Sequence, residues 1–132
     1  MTRITPPYTI GDPIPVAEFR EATAKRMSEK QLLQYVLDLA RACGYLVYHT
    51  FDSRRSTPGF PDIIAVGYDR LLAIECKREG QHPTPEQDDW LSELAYVPGV
   101  ACYVVRPSDW LNGEVERILR GDPRSDEPCA RR

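Results

Sequence analysis

Two stretches bring ionisable side chains to where chemistry could use them. Pro61-Asp62 opens the apolar run Ile63-Ile64-Ala65-Val66, and Glu75-Cys76-Lys77 closes the run Leu71-Leu72-Ala73-Ile74. Gly67-Tyr68-Asp69-Arg70 between them has turn composition. A hairpin folded about the Tyr68/Asp69 midpoint sets Val66 opposite Leu71, Ile64 opposite Ala73, and Asp62 opposite Glu75. Directly opposed residues carry Cβ atoms roughly 4.5–5.5 Å apart. Two carboxylates at that separation repel, so the pair destabilises the hairpin unless a proton or cation sits between them. Lys77 lies two residues beyond Glu75 and shares its strand face. Two carboxylates and an ammonium gathered at a strand end suit a divalent-metal site for hydrolysis. Magnesium prefers oxygen donors and is commonly held by one or two carboxylates plus water and phosphate. The plain alternative has Asp62 capping a turn and Glu75 paired with Lys77; the cross-strand opposition weighs against it.

These groups need a scaffold, and the flanking sequence supplies one. Ser28-Glu29-Lys30-Gln31 is a capping box, with Ser at the N-cap and Gln three residues on. Leu32, Leu33, Val36, Leu39, Ala40 and Cys43 follow at helical spacing, and Gly44 supplies the stop. Residues 45–51 are rich in aromatic and β-branched types and read as a strand. Residues 52–59 form a polar loop that leads into the hairpin. Thr84-Pro85-Glu86-Gln87 caps a second helix, whose apolar face is Trp90, Leu91, Leu94 and Val97. Residues 100–105 are a buried strand. Ser108 caps a last helix towards Leu119, weakened at Asn112-Gly113. A helix between the third and fourth strands implies a right-handed crossover and a parallel pair; the hairpin is antiparallel. The expectation is a mixed four-stranded α/β sheet flanked by helices, in the order αβββαβ plus a C-terminal helix. An N-terminal arm (1–27) precedes this domain (28–120). It carries Pro6, Pro7, Pro13 and Pro15, with a short helix over 16–27, and a polar tail (121–132) reads as disordered.

Composition bounds the reading. The chain has 132 residues, 42% of them hydrophobic, which suits one compact domain. No apolar run approaches the roughly 18–20 residues of a membrane span, and no secretory pattern opens the chain. A cytoplasmic protein, bacterial or viral, fits. Cys43, Cys76, Cys102 and Cys129 form no C-x-x-C pair and have no histidine at zinc-finger spacing. The first three read as buried thiols of a reducing compartment. A net charge of −3 and a pI near 5.4 are not the footprint of a strong nonspecific DNA binder. Positive charge would have to be local, at Arg54, Arg55, Lys77 and Arg78.

This order of elements, with these residues in it, resembles the PD-(D/E)XK nuclease superfamily, and within it the VRR-NUC (virus-type replication-repair nuclease) domain. The matching positions are Glu29, Gly59-Phe60-Pro61-Asp62, Glu75-Cys76-Lys77 and Gln87, across about residues 28–106. The resemblance implies a restriction-endonuclease-like fold and a magnesium- or manganese-dependent nuclease, in the DNA repair or phage setting of that family, acting on branched or junction DNA. It implies Asp62 and Glu75 as metal ligands, the Cys76 backbone carbonyl as a third, and Glu29 reaching the metal through water. Lys77 would hold the attacking water or stabilise the phosphate, and Gln87 would orient that lysine or water. A homodimer would suit a junction, placing two sites against two symmetric strands.

Each position has a competing structural account. Glu29 shares a stripe with Leu33, Val36 and Ala40, unusual for an acid, yet an acid in a first turn also favours the helix dipole. Gln87 faces inward with Trp90, Leu91 and Leu94, and also completes a capping box. Arg54 and Arg55 are candidate phosphate contacts or a solvated loop. His82 reads better as a loop histidine than as a general base. Tyr45, Tyr48 and Trp90 read as core rather than as platforms for bases. Two other functions remain open. One is an inactive nucleic-acid-binding module of the same fold, against which all four motif positions count. The other is a glycosidase using the Asp62/Glu75 pair, against which the adjacent lysine counts.

Overall fold

The structure, a computed structural model, describes residues 14–51 and 53–121. The prolines before Ile14 and the tail from 122 to 132, with Cys129, lie outside the described residues. The elements are α1 (Val16–Arg26), α2 (Glu29–Ala42), β1 (Leu46–His49), a 3-10 turn (Ser53–Arg55), β2 (Ile63–Gly67), β3 (Arg70–Cys76), α3 (Pro85–Ala95), β4 (Val100–Val105), α4 (Pro107–Leu111) and α5 (Glu114–Arg120). The strands form one mixed sheet in the order β1-β2-β3-β4. The first two pairings are antiparallel and β3–β4 is parallel. The protein is thus α/β, with helices flanking a four-stranded sheet.

Both capping boxes form. Ser28 Oγ accepts from the Gln31 N–H at 3.0 Å while Gln31 Oε1 accepts from the Ser28 N–H at 3.0 Å. Thr84 Oγ1 accepts from Gln87 N–H at 3.2 Å and Gln87 Oε1 from Thr84 N–H at 2.8 Å. From its capped start α2 lays Leu32, Val36, Leu37 and Ala40 on one sheet face, against Ile63, Ala65, Leu72, Ile74, Cys76, Ala101 and Val105. Helix α5 closes that core with Val115, Ile118 and Leu119. Burying this many aliphatic side chains, at about 1.5–3 kcal/mol each, holds the sheet rigid beneath the site. On the other face α3 packs across β4.

The hairpin has the expected register: Ile63 pairs with Ile74, Ile64 with Ala73 and Val66 with Leu71. Its turn places Tyr68 and Asp69 at φ of 54° and 63°, a left-handed pair that matches strand twist but that L side chains resist. Contacts at Tyr68 offset that cost. Its hydroxyl donates to the Cys43 carbonyl, and its ring meets Tyr45 edge-on at 5.2 Å.

Four expectations change. The first strand spans only Leu46–His49 rather than residues 45–51. Tyr45 precedes it, 4% exposed, and donates its hydroxyl to the Leu119 carbonyl at 2.8 Å. Tyr48 is not core: it is 64% exposed, because it alternates onto the sheet face that α3 leaves open over β1 and β2. Cys43 and Cys102 are half-buried, and Cys76 is fully enclosed. The last helix is two helices, broken where Gly113 takes φ 86°. Ser108 does not cap it. Its N–H goes to Glu79 Oε1 at 3.0 Å, and Asp109 accepts the Arg106 N–H at 2.8 Å. The short helix expected within the arm forms as α1 and packs on α4.

Candidate active site

Asp62 sits one residue before β2, and Glu75 is the penultimate residue of β3. The register that pairs Ile63 with Ile74 brings the two acids opposite each other. Asp62 Oδ2 accepts the Cys76 backbone N–H at 2.9 Å, which pins this carboxylate across the hairpin and leaves its other oxygen for a further partner. Glu75 is 1% exposed, and Lys77 Nζ lies 3.7 Å from its Oε2, an ion pair too long for a good hydrogen bond. Glu75 Oε1 is buried with no hydrogen-bond partner among the described residues.

The electrostatics follow from this packing. Burial pushes the Glu75 carboxyl up to about 8; the Asp62 charge and the Asp62 hydrogen bond push the same way, Lys77 opposes them, and Glu29 adds a smaller upward push. Without a cation Glu75 therefore keeps its proton near neutral pH. The Cys76 thiol is also driven up, by burial first and then by Asp62, Glu75 and Glu29, so it is an inert neutral thiol on the opposite sheet face.

A polar cleft of about 330 Å³ opens onto the pair, lined by Glu29, Thr50, Ser56, Thr57, Pro58, Gly59, Phe60, Asp62, Glu75 and Gln87. One wall is the loop from Ser56 to Phe60, the other the start of α3. They touch at Gly59, where φ is 92° and an added Cβ would lie 2.5 Å from the Glu86 carbonyl. Phe60 packs edge-on against half-buried Trp90 at 5.1 Å, fixing the loop to α3.

The residues selected from sequence thus divide. Glu29, Asp62, Glu75 and Gln87 share the cleft, and Lys77 joins them through Glu75. Glu29 is exposed at the cleft mouth rather than turned into the core stripe. Gln87 lines the cleft while its Oε1 serves the helix cap, so both of its accounts hold together. Arg54 and Arg55 stand exposed in the 3-10 turn just before the cleft loop. Arg78 turns away and donates to the Lys25 carbonyl at 3.3 Å. His82 lies at 3.4 Å from Arg106, whose guanidinium also clamps the Gln81 carbonyl. The hydroxyls of Thr50, Ser56 and Thr57 were missed by sequence reasoning. The only hint is that they bracket an irregular loop, and loop hydroxyls are too common to single out. A second hollow of about 390 Å³, between α1 and α4, is lined by none of the sequence-selected site residues.

Among the described residues no group of three or more His, Cys, Asp or Glu side chains is arranged to hold a metal. Two carboxylates do suffice for magnesium when water and substrate phosphate complete the shell. The orphaned Glu75 oxygen, and the burial and then the Asp62 repulsion that lift its pKa, fit a site completed by a cation. No family model matches the chain, and no curated protein or solved structure matches it significantly.

Proposed function

We propose that the protein is a metal-dependent nuclease of PD-(D/E)XK type, nearest in motif to the VRR-NUC domain, hydrolysing phosphodiester bonds in DNA. One observation carries this reading: a buried Glu75 set against the half-buried Asp62 carboxylate that repels it, with Lys77 beside them at the end of a hairpin. Asp62, Glu75, the Cys76 carbonyl and, through water, Glu29 would hold magnesium or manganese. When bound, that ion supplies charge neutralisation at the phosphate and a more acidic water. The chain's own residues do the rest. The Cys76 N–H fixes one Asp62 oxygen and so aims the other. The Lys77 ammonium, its side chain 12% exposed, stabilises negative charge that builds on the phosphate oxygens as the water oxygen bonds to phosphorus and the opposite ester oxygen leaves. The side-chain amide N–H groups of Gln87 and the Thr57 hydroxyl offer hydrogen bonds to phosphate oxygens entering the cleft, while the Thr50 hydroxyl donates to the Pro61 carbonyl at 3.3 Å. A branched or junction substrate and a homodimer extend the same reading.

The test incubates purified protein with labelled linear, flap and four-way DNA in magnesium, manganese or a chelator, beside Lys77→Ala. Cutting is expected only with metal, and to fall about 100- to 1,000-fold in Lys77→Ala, as when one transition-state donor is lost. Cutting that survives chelation removes the metal site. Tight binding without cutting under any condition leaves the inactive module of the same fold.

A further inference from the structure

The open half of the sheet face is continuous with the cleft. Opposed residues place Leu46 beside Val66 and Tyr48 beside Ile64. On the next row, Thr50 donates its backbone N–H to the Asp62 carbonyl at 3.0 Å, and Asp62 faces Glu75. Tyr48 is therefore the diagonal neighbour of Asp62 on one face, with Cβ atoms about 7–8 Å apart. Tyr48 is 64% exposed, Leu46 79% and Val66 44%. The opposite alternation, Val47 and His49, turns towards the α2 core, so this exposure is the work of strand pleat.

We propose that Tyr48 is a stacking platform for an unpaired base next to the phosphate held at the Asp62–Glu75 cleft, which makes single-stranded or locally melted nucleic acid the preferred substrate class. The proposal rests on the nuclease reading. A flat ring on an apolar floor accepts the face of any base, whereas a base inside a duplex has both faces occupied. Thr50, two residues after Tyr48 and on the same face, lines the cleft together with Ser56 and Thr57, so the exposed ring adjoins the polar groups that a phosphate entering the cleft would meet. That alignment favours a nucleic-acid strand over a second copy of the chain as the occupant.

The experiment measures affinity for a short single strand carrying 2-aminopurine, and for the matching duplex, with wild type, Tyr48→Ala and Tyr48→Phe. Tyr48→Ala should weaken single-strand binding about 5- to 150-fold, the worth of one stacked base. It should also relieve fluorescence quenching of the probe and leave duplex affinity unchanged. Tyr48→Phe should restore both. Should strand β1 lose stability in the alanine variant, Tyr48→Thr keeps the strand propensity and removes the ring. Equal losses on strand and duplex, or none, overturn the platform. Metal-dependent cutting by the same wild-type preparation separates the two readings. If wild type cuts and Tyr48→Ala treats both substrates as wild type does, only the platform falls. If wild type neither binds nor cuts, both fall. A dimer that Tyr48→Ala dissociates, seen by sedimentation, assigns the face to a second copy and also overturns the platform.

Discussion

Replacing Glu75 by glutamine should stabilise the metal-free protein, and only above acid pH. The folded carboxyl titrates near 8, against an ordinary value of 4.5. Below about pH 4.5 the group is protonated folded and unfolded, and nothing is lost. Between the two values the folded chain binds the extra proton, so stability falls as pH rises through that window and levels off above the folded pKa. At about 1.4 kcal/mol per pKa unit the full loss is of the order of 5 kcal/mol. Glutamine keeps the shape and can still donate to Asp62, so it escapes the loss. Urea unfolding of both proteins in a chelator, from about pH 5 to pH 9, reads the difference directly. The two should nearly coincide at the acid end and diverge by a few kcal/mol at the alkaline end, about 4 °C in Tm per kcal/mol for a chain of this size. Magnesium at 100 times its dissociation constant should return about 2.7 kcal/mol to the wild type and little to the variant. A wild type no less stable than Glu75→Gln at the alkaline end would refute the buried, cation-seeking Glu75.

Three further outcomes follow from the same geometry. Lys77→Ala removes the one group that lowers the Glu75 pKa, so the pH-dependent loss in metal-free protein should extend to higher pH, measured in the same titration. Gly59→Ala forces a side chain into φ 92° and against the Glu86 carbonyl, which should cost at least about 1–3 kcal/mol and depress cutting by moving the cleft loop; a wild-type unfolding midpoint would contradict the close approach. Tyr45→Phe strips a hydroxyl that donates to Leu119 and accepts from Arg70 at 2.8 Å, and should cost about 1–3 kcal/mol in urea unfolding with metal affinity unchanged.

Local rules in the sequence were enough to determine most of the helices and strands and the pairing register of the hairpin. The two capping boxes, the spacing of Leu32, Val36 and Ala40, and the turn at Tyr68-Asp69 each act within a few residues. Once that turn is set, the pleat leaves no freedom about which residue faces Asp62. What tertiary structure decided is how much each side chain is covered, since that depends on which faces distant helices reach. Tyr48 has the composition of a core residue and is exposed because α3 crosses β4 and stops short of β1. Glu29 sits on an apolar stripe by spacing yet, as the first residue of α2, is exposed and lines the cleft. Glu75 Oε1 is left without a partner only because the assembled fold shuts water away from it, and desolvation is a property of the whole fold.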